Sequence, residues 1–297
     1  MLEWVVLGSL ARFAHYGGMI RMSLLALPLL LAGCGSPAPK ADQQSSAASA
    51  SAVTPAPAPL ASPVSVSLPQ AGPVALAEKT ELLDFKYSWP AAAAGIPALD
   101  ARLRADARTT QQHMKNQAAK AKSESETGSF PFHSYETSNE WNVEGDTPKL
   151  LALRDSFYEY TGGAHGMSGF QFILWDRAIG HDITTLDLFA DKTAAMALLN
   201  QAFCPALNRE RAKRRGAPVP PSDGGTDDWM NGCPDLAKQV LIPGDVKRGR
   251  FTTIHVLIGP YEAGPYAEGT YDIVLPITRS LLALAKPSYA EALATGS

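Results

Sequence analysis

Apolar side chains follow a helical spacing after residue 95. Steps of three, four and seven residues separate the apolar or small positions Ile96, Leu99, Leu103, Ala107, Met114, Ala118 and Ala121. This period places them on one face of an α-helix. The pattern predicts an amphipathic helix of about seven turns, which ends in the polar run 123–129.

Shorter runs typical of β-strands lie before and after this helix. They are rich in aromatic and β-branched residues and are bounded by Pro, Gly or Asp. Residues 144–148 form a turn signal between two of the runs, and residues 179–182 are expected to turn the last run back as a hairpin. The predicted strands are residues 81–89, 132–143, 149–160 and 169–176.

The second half of the chain repeats this order of helix and strands. Residues 183–189 are interpreted as the start of a helix over residues 192–211, with Thr185 or Asp187 as its cap. An exposed Pro- and Gly-rich loop over residues 213–228 follows. The remaining predicted elements are a short helix near 228–240, strands 251–258 and 270–277 on either side of loop 259–269, and helix 279–284.

Helix and antiparallel strands therefore occur twice along the chain. We predict an α+β fold of two small lobes, each a helix packed on an antiparallel sheet. The N-terminal lobe is expected to span residues 78–177 and the C-terminal lobe residues 178–290. The roughly 220 residues involved are enough to form a hydrophobic core.

The residues before the lobes have a different pattern. Arg21 precedes the short apolar run 23–31, and small residues then lead to Cys34. This order is typical of a secretory signal peptide, and the run is shorter than the roughly 20 apolar residues that a membrane-spanning helix needs. The residues up to Cys34 resemble the lipobox of bacterial lipoproteins, so we expect that cysteine to receive a diacylglycerol. Met19 or Met22 is the expected start of translation, because both lie close before the run.

The signal peptide is therefore placed at residues 1–33 and is followed by an expected tether at residues 34–77. Residues 36–76 are mostly Ser, Ala, Pro, Gln, Val and Gly. Such a segment cannot bury enough apolar surface to fold. Gly35, not Asp, follows the modified Cys34. By resemblance to Gram-negative sorting, this favours the periplasmic face of the outer membrane.

Charge and motifs exclude some classes of partner. The chain has 26 Lys and Arg and 29 Asp and Glu; removal of Arg12, Arg21 and Glu3 leaves 24 and 28, a net charge of −4 with neutral His. The sequence has no basic stripe of the kind that binds nucleic acid. A mildly acidic protein is compatible with a basic protein partner. The sequence has no G-x-S-x-G or H-E-x-x-H motif, and we expect neither a metal nor a cofactor.

Cys204 and Cys233 remain after lipidation of Cys34. In an oxidising compartment such a pair usually forms a disulfide, and we predict that bond here. A reactive thiol or a metal ligand is the alternative. It would need a histidine nearby, and residues 204–233 contain none.

A glycine-rich stretch at residues 160–166 presents Thr161 and His165 between two predicted strands. Glycines let a chain adopt positive φ or approach another backbone closely. His165 is interpreted either as a catalytic or ligand-binding side chain, or as a turn residue that hydrogen-bonds backbone. The sequence leaves both interpretations open.

Residues 259–269 contain two Gly-Pro-Tyr units and two carboxylates. Tyr261 and Tyr266 provide rigid amphipathic contact area, which suits a binding surface. Glu262 and Glu268 could instead serve acid–base chemistry. The third interpretation is an ordered loop whose tyrosine rings pack inward on the sheet.

Residues 160–165, 183–189 and 251–276 together resemble a family of bacterial exported proteins of uncharacterised function. That family combines a deacetylase-associated N-terminal lobe with a C-terminal lobe like that of RsiV, an anti-sigma factor that senses lysozyme. The resemblance covers roughly residues 82–284 and implies an α+β fold of two lobes. In RsiV the C-terminal lobe binds lysozyme directly, and in other members the lobes accompany a deacetylase domain that acts on peptidoglycan.

The leading hypothesis is a lipid-anchored binding module of the cell envelope that recognises lysozyme-like hydrolases or peptidoglycan. One alternative is an envelope hydrolase that uses His165 with Glu268 or Asp176. The other is a structural outer-membrane lipoprotein. The sequence favours binding over catalysis, and the expected contact residues are Thr161, His165, Tyr261, Glu262, Tyr266 and Glu268.

Overall fold

The computed structural model describes residues 71–222 and 228–296. These residues belong to a compact unit formed by residues 65–297. The expected signal peptide, Cys34 and most of the expected tether lie outside the described residues. Within the described ranges, no helix is long and apolar enough to cross a membrane.

The described residues form two sheets and two principal helices, which confirms the predicted α+β class. The strands are β1 (Val74–Lys79), β2 (Leu83–Trp89), β3 (Tyr135–Asp146), β4 (Leu150–Tyr160), β5 (Met167–Asp176), β6 (His181–Ile183), β7 (Val240–Lys247), β8 (Arg250–Ile258) and β9 (Tyr271–Pro276). The α-helices are α1 (Ala91–Ala94), α2 (Pro97–Gly128), α3 (Lys192–Arg215), α4 (Asp228–Asn231) and α5 (Arg279–Leu282). Short 3₁₀ helices lie at Thr185–Leu188, Leu236–Lys238, Tyr266–Glu268 and Ala290–Ala292.

The first sheet has the strand order β1-β2-β3-β4-β5-β6. β2 and β3 run parallel, and all other neighbours run antiparallel. The parallel pair departs from the predicted antiparallel sheet, because α2 connects β2 to β3 and parallel strands need such a crossover. β6 belongs to this sheet, although it lies beyond residue 177, the predicted end of the lobe.

Helix α2 covers one face of the first sheet with the apolar stripe predicted from its spacing. The stripe is buried from Leu99 to Ala118 and half-buried at its ends, Ile96 and Ala121, whereas most polar side chains of the helix are exposed or half-buried. A hydrophobic cluster forms where it meets the sheet, and its helix side consists of Leu99, Leu103, Ala107 and Met114. Burial of each of the Leu and Met side chains stabilises the fold by about 1.5–3 kcal/mol.

The second sheet consists of β7, β8 and β9, all antiparallel. Every residue of β8 after Arg250 is buried. The cluster around β8 includes Leu199 and Phe203 of α3 together with Ala152 and Leu174 of the first sheet. The second sheet therefore lies between α3 and the first sheet, and the core is continuous across this junction.

Strand β1 occupies the end of the predicted tether. Val74–Lys79 pairs with β2, so residues 74–77 belong to the sheet and not to the tether. Side chains of β1 alternate between half-buried and exposed positions. Ala75 and Ala77 give the strand a composition like that of the stretch before it. Pairing with β2, not local propensity, determines this strand.

The helix predicted near residues 228–240 is correct only at its start. α4 ends at Asn231, and the chain then forms β7. Pro243 and Gly244 lie inside β7, and both residue types are usually read as strand breakers. Gly244 is needed there because a Cβ at this position would stand 2.7 Å from the ring of His255 on β8.

Residues 183–189 do not start α3 directly. Thr184 is the N-cap of the 3₁₀ helix Thr185–Leu188, and its backbone N–H donates to Asp187 Oδ2 at 2.8 Å. Asp187 therefore helps to cap a helix, as predicted, but the short 3₁₀ helix and not α3. Thr185 caps neither helix. The N-cap of α3 is Asp191.

The predicted disulfide between Cys204 and Cys233 is present. Cys204 lies on α3, and Cys233 follows α4, with their Cα atoms 5.6 Å apart. The bond ties the segment after the Pro- and Gly-rich loop to the helix. This attachment places Met230 and Asn231 beside the C-terminal end of α3.

Replacing both Cys204 and Cys233 with Ser is expected to lower the free energy of unfolding by about 3 kcal/mol, because the unfolded chain regains the entropy of an open loop. Urea unfolding under oxidising conditions measures the change. The wild type in reducing agent is the matched control and should unfold like the variant. Equal stability of the oxidised wild type and the double variant would contradict this account.

Candidate functional site

Two loops meet at one end of the sheets. Residues 161–166 connect β4 to β5, and residues 259–270, called here the β8–β9 loop, connect β8 to β9. Tyr266 Oη donates to Gly166 O at 2.9 Å, and its ring stacks on His165 with centroids 4.0 Å apart. Tyr261 Oη lies 3.3 Å from His165 Nε2. We call these three side chains, His165, Tyr261 and Tyr266, the aromatic face.

Hydrogen bonds orient the imidazole of His165. Nδ1 lies 3.0 Å from Gly166 O, and since a carbonyl oxygen only accepts, Nδ1 donates. In the neutral ring, Nε2 then accepts from Tyr261 Oη. The turn interpretation of His165, with a hydrogen bond to backbone, describes this geometry. The exposed ring also forms part of the surface.

The backbone of both loops needs particular residue types. Gly162 and Gly163 have φ of 91° and 94°, values that favour glycine. A Cβ at Gly166 would overlap the ring of Tyr158. Tyr261 also has a positive φ, 68°, and it is 46% exposed. Positive φ is uncommon in a bulky residue, and such strained positions are often functional.

Arginines at the end of α3 hold the β8–β9 loop in place. Arg211 is buried and donates from Nε to Ala263 O at 2.8 Å. Arg214 Nη1 donates to Glu268 O at 2.6 Å and to Thr270 O at 2.7 Å. Charged donors make stronger hydrogen bonds than neutral ones. The loop is therefore fixed before any ligand arrives.

Glu268 faces α3 and not the aromatic face. Helix α3 continues to Arg215, past the predicted end at residue 211, and this extra turn provides the partner. Arg215 Nε and Nη2 donate to the two carboxylate oxygens of Glu268 at 2.8 and 3.1 Å, and Tyr271 Oη also donates. Burial acts to raise the pKa of Glu268, but these hydrogen bonds outweigh it and hold the pKa below its ordinary value. Glu268 therefore stabilises the loop.

Glu262 and Thr161 lie at the edges of the same region. Thr161 is exposed on the turn. Glu262 is exposed as a residue, but its carboxylate folds back toward Gly259. Burial of this carboxylate raises its pKa, and a hydrogen bond from Gln239 offsets part of the rise. Of the two glutamates, Glu262 is the more exposed as a residue, although its carboxylate is partly buried.

Neither carboxylate of the hydrolase alternative pairs with His165. Asp176 lies at the opposite end of β5, whose ten residues span about 30 Å. Its Oδ1 accepts from Ala178 N at 2.8 Å in the turn to β6. Glu268 is bound to Arg215. Within the described part of the chain, the ring nitrogens of His165 contact a carbonyl and a tyrosine.

A charged cluster that no sequence motif indicates lies between the two sheets. His255 on β8 is only 6% exposed, and its Nδ1 lies 2.8 Å from Asp272 Oδ1. Arg154 Nη1 contacts Asp272 Oδ2 at 2.7 Å, and Arg154 Nε contacts Glu144 at 3.1 Å. Burial acts to lower the pKa of His255, but the hydrogen bond to Asp272 and the charges of Asp272, Glu144 and Asp245 raise it overall. The only signal in the sequence is a histidine inside an apolar strand.

This cluster joins the sheets and does not resemble a metal centre. Glu144 and Arg154 lie on β3 and β4, whereas His255 and Asp272 lie on β8 and β9. Among residues 71–222 and 228–296, no three His, Cys, Asp or Glu side chains are grouped so that they could hold a metal ion. Arg154 already provides positive charge for two of the carboxylates.

Part of the chain is similar to a known protein family. Residues 76–168 match the family model described as Deacetylase PdaC. This match, from β1 to the start of β5, confirms the deacetylase-associated part of the resemblance. No curated protein matches the sequence.

Two solved structures of DUF3298 family proteins are similar to this chain. The one from Bacteroides fragilis NCTC 9343 is 18% identical, and the alignment covers 76% of this chain and 92% of that chain with a TM-score of 0.46. The one from Pseudomonas aeruginosa PAO1 is 17% identical, with coverage of 73% and 95% and a TM-score of 0.49.

Proposed function

We propose that this chain is a binding module of the bacterial cell envelope, which recognises a lysozyme-like hydrolase or peptidoglycan through the aromatic face. The observation that carries this proposal is the preorganised arrangement of the exposed His165 and Tyr261 with the half-buried Tyr266. Tyrosine rings provide a large contact area and lose little conformational entropy on binding. A loop that arginines already hold in place loses even less conformational entropy on binding.

The resemblance to the RsiV-like lobe supports a lysozyme-like partner. It rests on residues 183–189 and 251–276, which include both tyrosines of the aromatic face. The net charge of −4 after removal of residues 1–33 favours a basic protein partner over an acidic one.

The N-terminal pattern supports a location in the envelope. A signal peptide at residues 1–33, a lipid on Cys34 and a tether of Ala, Ser and Pro would place the folded unit on the periplasmic face of the outer membrane. A lipid anchor with a long tether lets the domain reach ligands at a distance from the membrane surface.

Calorimetric titration of the purified protein against hen-type lysozyme and against soluble peptidoglycan fragments tests the proposal. Binding of one of them is expected with a Kd in the micromolar range or tighter. The double variant Tyr261→Ala/Tyr266→Ala is expected to bind at least about tenfold more weakly, because central aromatic residues dominate interface energies.

Ile179→Ala is the matched control for these variants. Ile179 is 51% exposed and lies in the turn at the opposite end of β5 from the aromatic face. Its truncation is expected to leave the Kd unchanged. No heat with either ligand would contradict the proposed function, and an unchanged Kd in the tyrosine variant would contradict the aromatic face as the contact surface.

A further inference from the structure

A groove lies beside the aromatic face, between the β4–β5 end of the first sheet and the β8–β9 loop. Its volume is about 610 Å³, within the roughly 300–1,000 Å³ of small-molecule sites. Strand residues form one wall and loop residues the other. The residues that line the groove include Ser156, Tyr158, Ser168, Phe170, Glu268 and Thr270.

Aromatic rings and serine hydroxyl groups alternate on the strand wall of the groove. Tyr158 pairs directly with Ser168, and Ser156 pairs directly with Phe170. Paired residues, and residues two apart on a strand, point to the same face of a sheet. The two aromatic rings therefore lie on one diagonal of this patch, and the two serine hydroxyls lie on the other.

The groove offers a ligand little net charge. Its lining includes no Lys or Arg, and Glu268 is its only ionisable carboxylate. The carboxylate of Glu268 is already paired with Arg215. A phosphate or nucleic acid would need unpaired cations, and an apolar helix would leave the serine hydroxyls without partners. A neutral ligand that is apolar on its faces and polar at its rim fits both features.

We infer that this groove binds a glycan strand of neutral pyranose rings. The C–H faces of a pyranose pack on aromatic rings such as Tyr158 and Phe170. Its equatorial hydroxyl groups can exchange hydrogen bonds with Ser156, Ser168 and Thr270. This inference deepens the proposed function and rests on it for the location, since peptidoglycan is one source of such a strand; chitin and cellulose are others.

An NMR titration of the ¹⁵N-labelled protein tests the inference. The probes are soluble peptidoglycan glycan fragments, an N-acetylated chito-oligosaccharide and cellotetraose, each added to millimolar concentration. Shifts of backbone amides are expected to concentrate at residues 156–158, 168–170 and 266–270. The probe with the lowest Kd identifies the source of the glycan.

Ser156→Trp fills the groove from an exposed strand position and is expected to weaken binding at least about tenfold. Ser134→Trp, at an exposed serine before β3, is the matched control and is expected to change the Kd less than about twofold. Tyr158→Ala removes one ring and is expected to weaken binding similarly. The ring of Tyr158 packs on Gly166, so the fold of this variant is checked by the same amide spectrum.

Absence of shifts at these residues with all three probes would overturn the inference, as would equal binding by Ser156→Trp and wild type. If lysozyme binds through the aromatic face but no glycan does, the groove inference fails and the proposed function stands. If cellotetraose or the chito-oligosaccharide binds in the groove while lysozyme and peptidoglycan do not bind, the groove stands and the envelope function fails.

Discussion

The Asp155→Asn variant is expected to be more stable than the wild type by about 4 kcal/mol at about pH 8. Asp155 lies on β4 and is completely buried against the α2 side of the first sheet. Burial raises its pKa to about 7, and the hydrogen bond from Asn139 offsets only part of this rise. An acid whose pKa is raised by folding loses stability as the pH rises from its unfolded value, 3.8, to its folded value. Asn has no proton to lose and stays neutral at every pH in this range.

The hydrogen bonds around Asp155 support the same expectation. Asn139 Nδ2 donates to Asp155 Oδ2 at 2.6 Å. Oδ1 of each residue is buried and has no hydrogen-bond partner. A proton on the carboxyl group, or the amide hydrogens of Asn at position 155, would provide the missing donor.

Urea unfolding from about pH 4 to about pH 8 measures this effect, and the gain in stability is expected to fall below about 1 kcal/mol at the acidic end. Glu126→Gln is the matched control, since Glu126 is exposed near the end of α2. It should change stability little at any pH. A gain at Asp155 that does not depend on pH would show that packing, and not ionisation, is responsible.

The His255→Leu variant is expected to lose about 1.5–3 kcal/mol of stability at about pH 6, because three neighbouring, partly exposed carboxylates lose a cationic partner. Asp272 is the first of these, at 2.8 Å, and Glu144 and Asp245 lie 3.6 and 3.8 Å from the ring nitrogens. Arg154 alone would then face this set of carboxylates.

The loss should depend on pH in a defined direction. Folding raises the pKa of His255 above its ordinary value of 6.5. Its contribution is therefore complete below that value and is lost as the pH rises through the higher folded pKa. The stability difference between wild type and His255→Leu is expected to shrink above that pKa.

His113→Leu is the matched control, because His113 is exposed on α2. Denaturant midpoints of the three proteins across the pH range provide the measurement. A difference for His255→Leu that is constant or grows with pH would exclude the protonated imidazole as the stabilising species.

Local signals in the sequence were enough for some elements. The spacing of four and seven residues from Leu99 to Met114 predicts α2 because one helix face must be apolar to pack on a sheet. Cys204 and Cys233 predict the disulfide, since two cysteines of a chain expected to be exported usually pair. Tyr261 and Tyr266 are recognisable as surface candidates because glycine and proline surround them in a loop.

Other elements depend on partners distant in sequence. β1 forms because β2 offers a free edge, although its own residues resemble the predicted tether. β7 forms across Pro243 and Gly244 because β8 pairs with it. The parallel arrangement of β2 and β3 follows from the path of α2 over the sheet, and no local pattern in either strand specifies it.

The candidate site also depends partly on local sequence signals and partly on contacts between distant residues. Neighbouring residues are sufficient to predict that His165, Tyr261 and Tyr266 lie in glycine-rich loops between strands, because turns depend on short-range interactions. Contacts between distant residues bring these two loops together, turn Glu268 toward Arg215 and bury His255 among carboxylates. The two loops meet through residues 96 and 100 positions apart, and Glu268 contacts Arg215 over 53 positions. The geometry of these contacts follows from strand register and helix length, which long-range packing sets.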